Sequence, residues 1–252
     1  MSTFDYSSLD ETSHRPWPKP RAAWVMTQTW HDLLFAHWPV DAGVLRAKVP
    51  APFEIDLYDG QAWVAVVPFH MTNVAPRFME TLPWTSAFPE LNVRTYVHAA
   101  GKPGVFFFSL DAGSSLAVAT ARGLFNLPYH NASMRTELRD GFVQYSSRRR
   151  SSALTAEFAA IYRPVGPPAA PEPGSLEHFL TERYCLYALD RRSRPYRLEI
   201  HHPPWQLQPA VAEISTNTMA EAAGISLPSV PPLLHYAARQ DMVGWLPRRL
   251  EF

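Results

Sequence analysis

Cysteine occurs once, at Cys185, which excludes an internal disulfide framework and a multi-cysteine zinc site. Lysine is almost as scarce: of 23 basic residues only Lys19, Lys48 and Lys102 are lysines, so chemistry that needs an amine has three candidates. Neither sign of charge dominates, because 23 acidic residues balance the 23 basic ones, and no overall basic field draws in nucleic acid or anionic lipid. No apolar run approaches the ~18 residues of a membrane span. The opening MSTFDYSSLDETSHRPWPKP lacks the apolar stretch of a secretory signal, so a loose tail over residues 1–20 and a cytoplasmic protein are expected. The glycine-rich dinucleotide and phosphate loops, HExxH and GxSxG are all missing, which argues against dehydrogenase, nucleotide hydrolase, metalloprotease and esterase readings.

Glycine is low at 11 residues, and proline is high at 25 of 252. Prolines interrupt helices and central strands, so many short elements joined by rigid turns are expected. Asp41 is placed to cap a short helical turn that Pro50 stops. FEIDLYDGQAWVAVVPF alternates, turns at Asp59-Gly60 and continues as a second strand, whereas MTNVAPRFMETLPWTSAFP has no period and reads as a long loop or lid. VFFFSLDAG is a strand buried on both faces, Ser114–Arg122 a short helix, and FVQYSSRR and LTAEFAAIY alternating strands. After the stiff segment RPVGPPAAPEPG, Ser175 caps another short helix; YCLYAL, YRLEIHH, WQLQPAVAE and LLHYAARQDMVGW follow as strands, with a helix over Asn217–Ala223. About 80 residues beyond the proline-rich segment are marginal for a core of their own. Residues 21–252 therefore read as a single α+β, mostly-β domain, a closed barrel or double sheet with a few short helices, whose apolar edges are compatible with a homodimer.

The segment ELNVRTYVH separates its residues sharply. Leu91, Val93, Thr95 and Val97 form one face; Glu90, Asn92, Arg94, Tyr96 and His98 form the other. That polar face has three readings: a solvated surface, a structural pairing such as Glu90 with Arg94, or the lining of a pocket, since burying such groups unpaired costs several kcal/mol. Other candidates read more plainly. His31 and His37 lie six apart, the wrong spacing for a metal pair on one helical face; His201-His202 before PPW mark a structural corner; Cys185 sits in an apolar strand; and the clusters Arg148–Arg150 and Arg191, Arg192, Arg194 are solvated faces. No metal or other cofactor is expected.

ARGLFNLPYHNASM adds Arg122, a kinked LPY turn and the neighbours Tyr129 and His130. Here the sequence resembles the acetoacetate-decarboxylase-like superfamily, whose signature is an arginine, an aromatic residue and a proline followed by two lysines, entering a strand of a cone-shaped β-barrel. Arg122, Phe125 and Pro128 match that order and spacing. HWPVDAG, FPELNVRTYV, FFSLDA, LPYHNA, ERYCLY and HHPPWQL together resemble its YqjF-like branch of largely uncharacterised bacterial proteins, over roughly Trp30 to Trp205. The resemblance implies an acetoacetate-decarboxylase-like barrel with an internal pocket. It also exposes a departure: the family's first lysine forms a Schiff base with the keto acid and its neighbour lowers its pKa, whereas Tyr129 and His130 stand at those positions, and a phenol forms no iminium.

The expected function is therefore binding of a small carboxylate or carbonyl compound in an internal pocket without Schiff-base decarboxylation. Arg94 and Arg122 are placed to hold a carboxylate by bidentate forks. Glu90 serves as acid or base, matching a carboxylate of the family's site, and Tyr129 donates a hydrogen bond to a carbonyl or enolate oxygen. Asn92 and Tyr96 share the polar face, Asp111 and Ser109 pair with one of the arginines, and His130 points to the opposite face if the strand is regular. Two other classes stay open: a lysine-independent acid/base enzyme acting on an oxo acid, and an interaction scaffold docking through Trp24–Trp38 over a filled cavity.

Overall fold

The computed structural model describes residues 3–78, 87–150 and 155–251. Among the described residues, thirteen strands form one sheet that closes on itself twice. Strands β1 (Met26–Val40), β3 (Ala62–Pro76), β4 (Phe88–Ala99), β5 (Lys102–Ala112) and β12 (Leu233–Gly244) make a wall common to both closures. On one side, β6 (Tyr129–Arg139), β7 (Phe142–Arg149), β8 (Glu157–Pro164) and β11 (Gln208–Asn217) complete a nine-stranded barrel with the wall. On the other, β9 (Cys185–Leu189) and β10 (Pro195–His201) join β5 to β12 through two short ladders and complete a seven-stranded ring. The two-residue strands β2 (Glu54–Ile55) and β13 (Arg248–Arg249) finish the sheet edges.

A wall shared by two interiors is buried on both faces, which is why its strands read as continuous apolar runs such as LLFA and WVAVVPF. Leu34, Val64, Val66, Leu91 and Val93 fill the nine-stranded barrel with Tyr145, Phe158 and Tyr162 from the far strands. Their neighbours Leu33, Phe35, Ala65, Val67 and Phe69 point into the seven-stranded ring. Phe35 is fully buried and Trp38 nearly so, so the Leu33–Trp38 part of the Trp24–Trp38 segment is built into the shared wall, whereas Trp24 and Trp30 are half-buried.

Local signals match their elements. The Asp41 carboxylate accepts from the Gly43 and Val44 amides and starts α1 (Ala42–Arg46). Asp59 and Gly60 both have positive φ, as a two-residue hairpin turn requires. Ser114 caps α2 (Ser115–Phe125), and Asn126 ends it in the left-handed conformation; Ser175 caps α3 (Leu176–Thr181), and α4 (Met219–Ala222) follows β11. The long loop expected after Phe69 is shorter at both ends, because β3 runs on to Pro76 and β4 begins at Phe88; residues 79–86 lie outside the described residues. The N-terminal segment expected to be loose is anchored instead. Arg15, only 8% exposed, donates to the Ile200 carbonyl at 2.8 Å, and Trp17 Nε1 donates to Glu199 Oε2 at 2.8 Å.

Candidate functional site

The interior of the seven-stranded ring holds a partly open cavity of about 140 Å³. Three of its polar lining residues come from β4: Glu90, Asn92 and Arg94 alternate along the strand and all face inward, opposite Leu91 and Val93 in the barrel core, while Gln28, Thr181, Arg183 and His202 add polar groups from other elements. Tyr129, the first residue of β6, enters from the end of the cavity that Phe125 and Leu127 also line. The remaining walls are largely aromatic and aliphatic, with Trp30, Phe69, Phe107, Leu186, Leu198 and Trp205 among them.

Glu90 is 3% exposed, and its Oε2 accepts a hydrogen bond from the Tyr129 hydroxyl at 2.9 Å. Burial pushes its carboxyl up from 4.5 to about 8, and the nearby Asp111 charge adds to the rise while the Tyr129 hydrogen bond opposes it. Glu90 therefore holds its proton at neutral pH. Burial also raises the Tyr129 phenol well above its ordinary value, and the Glu90 carboxyl raises it further. The Glu90 carbonyl is fixed from behind by the Tyr145 hydroxyl at 2.7 Å.

Arg94 is the other ionic group of the β4 stripe. It forms no ion pair among the described residues, and its buried Nε has no hydrogen-bond partner there. The guanidinium lies 5.4 Å from the Phe35 ring centre and 5.9 Å from that of Tyr96. Asn92, 4% exposed, presents an Oδ1 that is likewise enclosed and unpartnered. Arg94 is half-buried and meets the Tyr96 hydroxyl, but its enclosed Nε and the enclosed Asn92 Oδ1 lack partners among the described residues, a desolvation cost that a bound acceptor and donor would offset.

The expected site residues divide into three groups. Glu90, Asn92, Arg94 and Tyr129 are brought together on the cavity. Tyr96 stands behind it, fully buried, with its hydroxyl 2.7 Å from His37 Nε2. Arg122, Asp111 and His130 do not line the cavity, and their expected roles are corrected. Helix α2 runs one turn past Arg122 and leaves that side chain exposed, with Nε donating to the Tyr129 carbonyl at 2.7 Å. Asp111 follows the cavity residue Leu110, so alternation turns it to the other face; its carboxylate accepts from Arg149 Nε and Nη2 at 2.7 and 2.8 Å. The partner of Asp111 is thus an arginine of a cluster expected to be solvated, and the Ser109 hydroxyl is buried without a partner among the described residues. His130 pairs with Asp111 across β5 and β6, on the face opposite Tyr129.

Sequence reasoning missed Arg183 and the cavity role of His202. Arg183 lines the cavity, but Asp56 Oδ2 neutralises it at 2.5 Å, and its guanidinium stacks 4.2 Å from the Phe179 ring centre. His202, 1% exposed, stacks on Tyr184 with ring centres 4.7 Å apart. Both residues lie in ERYCLY and HHPPWQL, segments that carried the family resemblance, which was their one available signal. The lysines sit elsewhere: Lys19 bonds the Leu9 carbonyl, Lys48 reaches Gly224, and Lys102 pairs with Glu199 at 2.8 Å. No group of three or more His, Cys, Asp or Glu side chains able to hold a metal ion occurs among the described residues, and no helix there is long and apolar enough to cross a membrane.

Residues 27–241 match the model of DUF2071, a family of uncharacterized conserved proteins. The chain belongs to the DUF2071 family. It is 51% identical over 226 residues to the uncharacterized protein YqjF of Bacillus subtilis, a match covering 90% of this chain and 93% of that one. Among solved structures, acetoacetate decarboxylase from Legionella pneumophila superposes with a TM-score of 0.62 at 12% identity, covering 94% of this chain and 93% of the other. An acetoacetate decarboxylase-like enzyme from Sphingomonas wittichii gives 0.60 at 17% identity, over 95% and 99%. The enduracididine biosynthesis enzyme MppR complexed with pyruvate gives 0.60 at 9% identity, over 99% of each chain. This DUF2071 protein therefore has the acetoacetate decarboxylase-like fold.

Proposed function

We propose that this DUF2071 protein binds a small organic acid in the cavity of the seven-stranded ring, with Arg94 as the carboxylate anchor and without a Schiff base. The observation that carries the reading is Arg94 itself, a guanidinium without an ion-pair partner among the described residues, set in a largely apolar cavity. A carboxylate would supply the missing charge and accept its forked N–H groups. Asn92 extends the polar stripe beside it. That MppR, of the same fold, is complexed with pyruvate supports a small carboxylate as the guest. Tyr129 stands at the position that resembles the superfamily's reactive lysine, and Lys19, Lys48 and Lys102 all make contacts away from the cavity lining, which supports a lysine-independent role. A cytoplasmic, bacterial setting accords with the Bacillus relative and the single buried thiol.

One observation favours turnover as a second reading. Glu90, protonated at neutral pH and hydrogen-bonded to Tyr129, is a general acid held at the cavity wall, suited to protonating an enolate or a leaving hydroxyl of an oxo or hydroxy acid. Binding is tested by thermal denaturation with 4-methyl-2-oxopentanoate. The acid raises the midpoint of the wild type and leaves that of Arg94→Gln unmoved. An equal rise in both proteins refutes Arg94 as the anchor. Incubation with acetoacetate and borohydride leaves the mass of the protein unchanged; a covalent adduct refutes the lysine-independent role.

A further inference from the structure

The cavity is asymmetric in a way that restricts its guest further. Its one unpaired ionic group among the described residues, Arg94, lies on β4 with Glu90 and Asn92, whereas the elements facing it supply mostly apolar side chains, Trp30, Phe107, Leu110, Leu186, Leu198 and Met242, with Gln28, Thr181 and His202 as uncharged polar groups among them. Its ionic groups reduce to a single uncompensated charge. Arg183 is neutralised by Asp56, and Glu90 faces Tyr129 as a neutral carboxyl. Arg94 alone is left, with the Phe35 and Tyr96 rings against its guanidinium. A second anionic group on the guest would find no second free cation among the described residues, because Arg183 is already paired with Asp56 and Gln28, Asn92, Tyr129, Thr181 and His202 are uncharged hydrogen-bonding groups; a buried charge without a counter-charge is strongly disfavoured. A guest without charge would leave Arg94 unpaired. A guest without an apolar body would leave the aromatic and leucine walls against water, forgoing the main driving force of association.

We infer that the site selects singly charged monocarboxylic acids with an apolar tail, the carboxylate on Arg94 and the tail against β5, β9 and β10, and that it rejects dicarboxylates and phosphate-bearing metabolites. The selectivity rests on the acid-binding reading above, but it is a separate claim, because an arginine anchor alone would accept any small carboxylate.

Four simple probes separate the components, titrated calorimetrically into the full chain: hexanoate, hexanamide, adipate and acetate. The first three share a six-carbon chain and differ in charge; acetate keeps the charge and lacks the tail. Hexanoate binds most tightly, and each of the others is weaker by at least about tenfold. Arg94→Gln removes the preference of hexanoate over hexanamide, while Arg94→Lys, which keeps the charge, retains part of it; circular dichroism verifies that both variants are folded. Adipate or acetate binding as tightly as hexanoate overturns the selectivity and leaves the carboxylate anchor standing. Hexanamide matching hexanoate in the wild type overturns the charge requirement. If none of the three carboxylates binds, the acid-binding reading falls together with the inference.

Discussion

The Tyr129 hydroxyl donates to Glu90 Oε2 at 2.9 Å, joining the start of β6 to β4 across the cavity end of the seven-stranded ring. The bond joins a neutral acid to a phenol, because burial keeps the Glu90 proton on at neutral pH. Nothing cationic among the described residues forms an ion pair with Glu90. The pair is thus a hydrogen-bonding unit rather than half of a salt bridge, and Arg94, two alternations further along the same strand face, keeps no ion-pair partner among the described residues.

A carboxyl raised from 4.5 to about 8 in the folded chain makes stability fall as pH rises. Below about pH 4.5 both states hold the proton and there is no penalty. Between about 4.5 and 8 the unfolded chain has lost the proton that the folded chain keeps, so stability drops by up to about 1.4 kcal/mol per pH unit, approaching about 5 kcal/mol in all above pH 8. Glu90→Gln keeps an acceptor for Tyr129 and removes the titration. In urea denaturation the variant therefore gains on the wild type as pH rises from 5 to 8. A difference between the two proteins that stays constant with pH contradicts a protonated Glu90.

Breaking the Asp111–Arg149 pair is costly and leaves the cavity alone. Asp111 is fully buried, and Arg149 meets it through two parallel N–H···O bonds. Asp111→Asn strands the Arg149 charge in the interior, at a cost of about 3–5 kcal/mol. Replacing both residues by neutral ones recovers part of that loss, because no lone buried charge remains. Urea midpoints of the two single variants and the double variant measure this coupling. Binding of 4-methyl-2-oxopentanoate to whichever variant stays folded is unchanged, since neither side chain lines the cavity; a loss of binding would restore Asp111 to the site.

The sequence made β4 legible because a period of two is set locally: whichever way the strand packs, Glu90, Asn92 and Arg94 share a face. The caps at Asp41, Ser114 and Ser175 were legible for the same reason, being decided within a few residues. Arg122 was misassigned because its direction depends on how far α2 runs, and the helix continues to Phe125 rather than stopping at Arg122. Asp111 was misassigned because the choice between Arg94, Arg122 and Arg149 is made by strand pairing far along the chain. Arg183 was out of reach altogether. It follows a six-residue helix, and it lines the cavity only because β9 pairs in parallel with β5, at Val105–Leu186 and Phe106–Tyr187.

His201 couples acid to the N-terminal segment. Its ring is buried, with Nε2 3.1 Å from the Leu9 carbonyl and Nδ1 3.2 Å from Arg15 Nη1. Because Arg15 only donates, Nδ1 has to accept, and a proton there would point at a guanidinium. Burial first, then Arg15, Lys19, His202 and His14, push the ring down to about 3. A depressed histidine favours folding above its unfolded value near 6.5 and loses that stability as pH falls. Amide hydrogen exchange over residues 9–19, corrected for intrinsic rates, shows protection at pH 7 that declines towards pH 4. His201→Gln, which can accept from Arg15 and donate to Leu9, flattens the decline. Equal declines in both proteins refute the coupling.

The parallel seam between β5 and β9, on which closure of the seven-stranded ring depends, is set by the absence of a side chain at Gly104. A Cβ there would lie 2.7 Å from both the Cys185 carbonyl oxygen and its Sγ, and 2.8 Å from the Tyr187 ring. Gly104→Ala forces the strands apart and lowers stability by about 1–3 kcal/mol, the usual cost of overpacking. Cys185→Ala on the same background relieves the contact with sulfur but not the one with the backbone carbonyl, so it restores only part of the loss. Because Val105 and Leu186 of this seam line the cavity, the Gly104→Ala variant also weakens 4-methyl-2-oxopentanoate binding under conditions where it is fully folded. Wild-type stability and affinity in that variant contradict close strand approach at this position, and with it the narrow wall that shapes the cavity.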